Sequence, residues 1–330
     1  MAPSITLGCE TSPVFAILRH PAVRIRATPA AVRARRARTM IAIALAGITA
    51  GMMTGMAPAS ATVLPQTTPW PGTAQPPATL HWSHVAASPY LAAAVTNKRQ
   101  VAYLWIDTAH LHFRFVPGYL YPEHSPRTAD DHNAATWVPS MVAAFNGAFM
   151  LKDKHGGYFY RGHTVAPLRR GLASLVAMRD GSLRLGSWGT DVTMTPDVIA
   201  VRQNLKPLVR NGQSLVAPTD GKRTWGYAIN DAARVNRSAL ALLPDGSLVF
   251  VFSRLSTPAQ LAQQVLATGA TFAMALDMNY LWPAAYVYTH AKGHTTGKAI
   301  SPYVVHPWTQ FLDTNKKDFI VVESTTATAA

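Results

Sequence analysis

From about residue 80 onward, the apolar residues of this chain fall in short blocks bounded by turn residues, a pattern of strands more than of helices. Gln100-Val-Ala-Tyr-Leu-Trp-Ile-Asp107 is strand-like, and Leu111-His-Phe-Arg-Phe-Val116 alternates cleanly. Two Asp-Gly pairs, Asp180-Gly181 and Asp245-Gly246, each stand between apolar runs. Asp-Gly supplies the positive φ that a tight turn needs, so both predict β-hairpins. One helix is expected. Ser256 or Thr257 caps it, Pro258 sits in its first turn, Leu261, Val265 and Leu266 form its apolar face, and Gly269 stops it. The chain then reaches Asp277 through an apolar run and leaves through Met278, Asn279, Tyr280, Leu281 and Trp282. Hairpin, helix and this last strand make a strand–helix–strand unit. The expected fold is a single α+β domain on a long, twisted sheet, mixed or antiparallel, with Asp-Gly hairpins and few helices.

Composition changes the picture mainly at the ends. The 330 residues are 48% hydrophobic, enough for a sizeable core, and a mean hydropathy of +0.07 argues against a multi-span membrane protein. The formal charge of +14 is unevenly placed: residues 1–39 hold seven arginines and one acid, whereas residues 40–330 hold 23 basic and 15 acidic residues. Arg33-Ala-Arg-Arg-Ala-Arg38, the apolar stretch Met40–Met56 and Ala57-Pro-Ala59-Ser-Ala61 read as the basic, hydrophobic and cleavage regions of an export signal. A hydrophobic stretch of this length also suits an uncleaved anchor with the body outside. Residues 1–61 are therefore expected to be a basic segment plus signal peptide or anchor, and 62–80 a Pro/Thr/Ala-rich tether. The domain is expected over 81–322, with a frayed tail at 323–330. The protein is read as exported, secreted or held at a bacterial cell surface, with membrane contact only through the N-terminal anchor. Cys9 is the single cysteine, so the body has neither disulfides nor a cysteine nucleophile. The dispersed basic charge lacks a helical or aromatic-basic pattern, so no nucleic-acid partner is expected.

Four segments combine an apolar strand with small and polar residues. Asp277 and Asn279 stand where a strand exits, the layout of a ligand or catalytic site, although Asp after a strand also commonly caps a turn. In Val142-Ala-Ala-Phe-Asn146-Gly147-Ala148-Phe149, Gly147 lets backbone approach a ligand and the Asn146 amide can donate and accept, while an ordinary Asn-Gly turn is the plain alternative. Gly156-Gly157-Tyr158-Phe159-Tyr160-Arg161-Gly162-His163 could line a sugar with aromatic faces, or be a simple hairpin. In Asn236-Arg237-Ser238-Ala239-Leu240, Arg237 could fork onto a phosphate or carboxylate, or form a surface ion pair. The histidines, including His110 with His112 and His290 with His294, show no metal motif, and no P-loop, dinucleotide fingerprint, G-x-S-x-G or H-E-x-x-H is present.

Taken in order, these segments resemble the phosphodiester glycosidase domain family, whose animal member uncovers mannose 6-phosphate by removing N-acetylglucosamine. That family shows Asn-Gly-Gly-Phe-Phe, a glycine-rich turn, Arg-Ser/Thr-Ala-hydrophobic-Gly opening an Asp-Gly hairpin, a short helix and Leu-Asp-Gly-Gly-Gly-Ser. The counterparts here are Phe145–Phe149, Gly156-Gly157, Arg237–Ala241 and Leu276-Asp277-Met278-Asn279, spread over about residues 95–320. Ala148 replaces the second glycine of the first motif, and Met278-Asn279 the paired glycines of the last. The Leu-Asp-x-Asn form looks like an actinobacterial branch of exported proteins.

The resemblance implies hydrolysis of a sugar-1-phosphodiester, or a related cell-envelope glycan, at the anomeric C–O bond. Phosphate leaves readily, so less general-acid help is needed than in a glycosidase with two carboxylates. It implies Asp277 and Arg237 as catalytic residues, with Asn146, Gly147, Asn279, Gly157 and His163 binding the substrate. It calls for no metal and no cofactor, and for a carbohydrate or sugar-phosphate partner. A second carboxylate is not evident; Asp153, Asp191 and Asp231 are the candidates. The rival expectation is a non-catalytic cell-envelope glycan-binding protein using the same cleft.

Overall fold

A computed structural model describes residues 72, 74–98 and 100–325. The segment expected to be an export signal or anchor, most of the expected tether and residues 326–330 lie outside the described residues. In chain order the strands are β1 (Ser83–Val85), β2 (Ser88–Thr96), β3 (Val101–Ile106), β4 (Leu111–Val116), β5 (Met141–Asn146) and β6 (Tyr158–Tyr160). There follow β7 (His163–Ala166), β8 (Ala173–Met178), β9 (Leu183–Ser187), β10 (Val198–Gln203), β11 (Val209–Arg210) and β12 (Gln213–Ser214). The last six are β13 (Val235–Leu242), β14 (Leu248–Ser256), β15 (Phe272–Met278), β16 (Ala285–Ala291), β17 (His294–Ala299) and β18 (Phe319–Ser324). Two α-helices, α1 (Lys222–Trp225) and α2 (Pro258–Leu266), and several 3-10 turns complete the set.

The strands build three antiparallel sheets in place of one long sheet. The first has the order β1-β2-β3-β14-β13-β15-β11-β12, the second β7-β6-β10-β8-β9 and the third β17-β16-β5-β18-β4. Central strands of the first sheet are covered on both faces, so their apolar runs show no alternation. On β15, Phe272, Met274 and Leu276 face a core shared with the other two sheets, while Ala273 and Ala275 face a second core under α2. β3 divides likewise between Leu104 and Ile106 on one side and Tyr103 and Trp105 on the other.

Both Asp-Gly turns close hairpins, β8–β9 and β13–β14, with Gly181 at φ +82° and Gly246 at φ +87°. The connection from β14 through α2 to β15 crosses β13, which pairs with both strands. Thr257 caps α2: its Oγ1 accepts the Gln260 N–H (3.2 Å) and the Gln260 side chain accepts the Thr257 N–H (3.1 Å). Leu261, Ala262 and Val265 are the buried face.

The ends differ from expectation for packing reasons. Ala74 and Leu80 rest against the core under α2, and Thr79 Oγ1 donates to the Ala267 carbonyl (2.6 Å), so the last part of the expected tether docks on the domain. Glu323 belongs to β18 and bonds Ser140 Oγ (2.9 Å) and Arg114 Nε (3.3 Å), so the strand runs past residue 322. Among the described residues no helix is long and apolar enough to cross a membrane.

Because the α2 cap satisfies two orphan backbone and side-chain groups at once, Thr257→Ala is expected to cost about 1 kcal/mol. Urea denaturation checks this as a lowered midpoint at constant slope; an unchanged midpoint would show that the cap contributes nothing.

Candidate functional site

A local irregularity decides where Asp277 points. Along β13 and β15, Ala239 faces Ala275 but Arg237 faces Met278, so β15 carries one extra residue at its exit. Such a bulge re-aims a side chain. Here it puts Met278 on the α2 side with Arg237 and frees Asp277 from the ladder. The Asp277 N–H donates instead to the carbonyl of Gly147 (2.9 Å), in the third sheet. The Gly147 N–H donates to the carbonyl of Asp318 (3.0 Å), which immediately precedes β18. Gly147 thus carries one of the hydrogen bonds that join the first and third sheets. A Cβ there would stand 2.6 Å from Asp318 Cγ and 2.8 Å from its carbonyl oxygen, which only glycine avoids.

Four charged side chains collect around this junction. Lys317 Nζ pairs with Asp277 Oδ2, and the two side chains are 7% and 6% exposed. Arg202, from β10 of the second sheet, donates through Nε to Asp318 Oδ2 (3.0 Å) with both side chains buried. Arg202 also donates to the Phe149 carbonyl, and the Asp277 Oδ1 accepts the Met278 N–H (2.8 Å). Asp318 Oδ1 is buried with no hydrogen-bond partner among the described residues. Lys317 Nζ lies 4.7 Å from the centroid of the Trp282 ring, a cation–π contact. Burial pushes the Lys317 ammonium down to about 8, against the pull of Asp318. Its partner therefore sits beside a lysine that releases its proton near neutrality.

Asn146, Gly147, Asp277, Trp282, Lys317 and Asp318 line one cavity, closed by Gln310, Phe311 and Asn315. Its volume is about 10 Å³, room for about one water. Within it Asn146 is fully engaged. Its Nδ2 donates to Gly147 O (3.0 Å) and Ser238 Oγ (3.1 Å), and its Oδ1 accepts the Ala284 N–H (3.0 Å). The Ser238 hydroxyl donates onward to the Asp277 carbonyl (2.9 Å). Asn146 therefore ties the ends of β5, β13 and β15 together and has little left to offer a ligand.

The other expected site residues lie elsewhere. Arg237 is on the opposite face of β13 from Ser238 and borders a separate cavity of about 10 Å³ with Phe149, Trp225, Leu261 and Met278. Its Nε donates to the Ser256 carbonyl (3.0 Å) and Nη1 contacts Met278 Sδ (3.0 Å), with no carboxylate partner among the described residues. Burial lowers its pKa to about 10, which leaves it charged at neutral pH. It does not share a cavity with Asp277, because adjacent residues of a strand point to opposite faces. Asn279 adopts φ +83° and its Oδ1 accepts the Ile229 N–H (2.9 Å), so it fixes a neighbouring loop. Gly157 donates its N–H to Gln203 Oε1 (3.1 Å), and a Cβ there would strike the Pro167 backbone. His163 is exposed on β7, opposite Tyr160. Of the carboxylates expected to assist Asp277, Asp191 pairs with Arg210 (3.0 Å) and Asp231 with Lys222. Asp153 sits in an exposed 3-10 turn, near enough for its charge to act on Lys317. None lines the Asp277 cavity. The carboxylate that does is Asp318, which the sequence reading missed together with Lys317, Arg202 and Trp282. A signal was present: Lys316-Lys317-Asp318 runs straight into the apolar Phe319-Ile-Val-Val322, a mirror of the apolar run that ends on Asp277.

No protein-family model matches the chain, and no curated protein sequence does. Among solved structures it is similar to the zebrafish N-acetylglucosamine-1-phosphodiester alpha-N-acetylglucosaminidase catalytic domain, auto-inhibited by its pro-peptide, at 12% identity and a TM-score of 0.43 over 72% of this chain and 78% of that one. It is also similar to a Synechocystis protein, at 11% identity and a TM-score of 0.35 over 74% of this chain and 61% of that one. A Burkholderia pseudomallei protein described as exported aligns at 11% identity and a TM-score of 0.38 over 68% and 73% of the two chains. These likenesses are at the level of the fold alone.

Two outcomes follow. Asp277→Asn and Lys317→Met should each destabilise by about 3–5 kcal/mol, since each strands a buried charge, and the double variant should cost clearly less than the sum. Urea melts of the four proteins measure this, and strict additivity would show the two groups uncoupled. Asn279→Ala should be less stable than Asn279→Gly by about 1–2 kcal/mol, the cost of a left-handed backbone with a Cβ. Equal melts would mean that the side-chain bond to Ile229 is what residue 279 supplies.

Proposed function

We propose that this chain is an exported hydrolase that cleaves the glycosidic bond of a sugar-1-phosphodiester or a related cell-envelope glycan. The observation that carries the reading is the pair of carboxylates, Asp277 and Asp318, that flank Gly147 and share one cavity with a buried cation, Lys317. They stand at the ends of three strands that also carry the Asn146-Gly147 and Leu276-Asp277 motifs. Water attacks the anomeric carbon, the C–O bond to phosphate breaks, and the water proton passes to Asp277. Lys317, and not Arg237, is the cation placed to offset the charge gathering on the departing phosphate. Asp318, locked to Arg202, holds Lys317 and the Gly147 backbone in position. Trp282, Gln310 and Asn315 are partly exposed over the cavity and swing away to admit a sugar.

A second reading is favoured by the size of that cavity. With room for about one water and each carboxylate engaged by a cation, the cluster also suits a purely structural knot, in a glycan-binding protein without catalysis.

Hydrolysis of a panel of sugar-1-phosphodiesters by the purified protein separates the two. Asp277→Asn is expected to lose at least about 100-fold in kcat, the usual contribution of a positioned acid–base group. The wild-type rate should fall as pH rises through about 8, where Lys317 gives up the proton that makes it a cation. Lys317→Arg, which stays charged, should move that fall to higher pH. Absence of turnover on every member of the panel would sink the enzyme reading.

A further inference from the structure

Sugar-sized space exists elsewhere on the domain. Two contiguous cavities open where β4, β6, β8 and β10 meet, of about 460 and 900 Å³. Both fall in the range of about 300–1,000 Å³ typical of small-molecule sites. Arg161 and Arg179 stand on the rim of both, and Ile199 lies between them.

The two arginines are positioned by backbone. Arg161 follows β6 and its N–H donates to the Ile199 carbonyl (2.8 Å); Arg179 follows β8 and its N–H donates to the Asp197 carbonyl (2.8 Å). β10 lies between β6 and β8, so the two arginines rise on either side of it, about 10 Å apart by strand spacing. The register of β10 against β8 breaks between Val198 and Ala200, which lets nearby carbonyls serve opposite neighbours. Arg161 is held further: Nε donates to Tyr160 Oη (3.0 Å) and Nη2 to Asp131 Oδ1 (3.2 Å), which leaves Nη1 uncommitted among the described residues. Asp131 is fixed in turn by the Thr128 N–H (2.7 Å) and hydroxyl (3.1 Å). The Arg179 guanidinium has no ion-pair partner among the described residues.

The two cavities differ in lining. In the smaller, Arg114 pairs with Glu323 (3.3 Å) and Arg161 with Asp131, and Asp130, Asp180 and Arg179 also line it, so the walls carry a slight acidic excess and a fixed array of donors and acceptors. Asp180 is turned back into its own hairpin, where Oδ1 accepts the Ser182 N–H (2.8 Å). Such an array suits a polyhydroxylated ring. The larger cavity has an apolar floor of Phe159, Met194, Pro196 and Ile199, with Arg161 and Arg179 as its only charged lining. An anion is favoured there.

From this arrangement we propose that the groove is a carbohydrate-binding site for a saccharide bearing a carboxylate or a phosphate, with the ring in the smaller cavity and the anion between Arg161 and Arg179. It is separate from the Asp277 cavity and does not depend on that cavity's chemistry.

Isothermal titration of the purified full chain with a galacturonic acid tetramer, glucose 1-phosphate and maltotetraose tests the assignment. At least one anionic probe should bind, and Arg179→Gln, at an exposed unpaired position, should weaken it about tenfold, the value of a charge-assisted pair. Arg161→Gln should act in the same direction. Binding of the tetramer alone identifies a uronate, and binding of glucose 1-phosphate alone identifies a phosphosugar. Failure of both anionic probes to bind, equal affinity for maltotetraose, or full affinity in Arg179→Gln would each overturn the proposal.

Discussion

The structure turns on a glycine that three sheets reach at once. Gly147 accepts a hydrogen bond from Asp277 in the first sheet and donates one to Asp318 in the third, and Asp318 is clamped by Arg202 from the second. Two positive and two negative side chains, from Arg202, Lys317, Asp277 and Asp318, are thereby removed from water around one junction. Desolvating four such groups costs several kcal/mol apiece, and pairing recovers it only with good geometry and satisfied remaining lone pairs. The pairs are therefore weak evidence for stability and stronger evidence for a constraint of another kind. A cluster this exacting fixes the mutual register of three sheets, because a slip of one residue would strand a charge in the core.

The bulge at the exit of β15 is the device that makes the cluster compatible with a continuous sheet. Without the extra residue, Asp277 would share a face with Ala273 and Ala275 and point under α2, where the core is apolar. With it, Met278 takes that place and contacts Arg237, while the carboxylate turns toward Lys317. Asn279 completes the turn in the left-handed region. Asparagine is the residue that tolerates positive φ at least cost after glycine. Met278 packs on the α2 side against Phe149, Trp225 and Leu261.

What could be read from the sequence divides along the same line. Hairpins at Asp180-Gly181 and Asp245-Gly246, the capped helix and the strand that ends near Asp277 were legible because each depends on a few adjacent residues. The split into three sheets was not, since apolar strands of the first and third sheets look alike and only non-local pairing distinguishes them. Asn146, Gly147 and Asp277 converge because they sit at strand ends with a shared backbone junction. Arg237 does not, because the neighbouring Ser238 takes the position facing Asn146 and alternation sends the arginine to the other side. Lys317, Asp318 and Arg202 escaped notice for the opposite reason. Their charges look like ordinary solvated residues until the fold places them around one buried backbone atom.

The contrast between the two regions of polar chemistry bears on how such a protein would handle a glycan. At Asp277 the groups are strongly coupled and dry, with space for little more than a water, which suits a centre that acts on one bond and is otherwise kept shut. Around Arg161 and Arg179 one side chain is anchored and the other exposed, in an open groove, which suits recognition of a ligand that must come and go. The two sets of lining residues have no member in common, so the regions can be varied independently. Anchoring at a distance also lessens what the covering segment over Asp277 must contribute, since binding energy from remote parts of a substrate can be used to open and order the reacting centre.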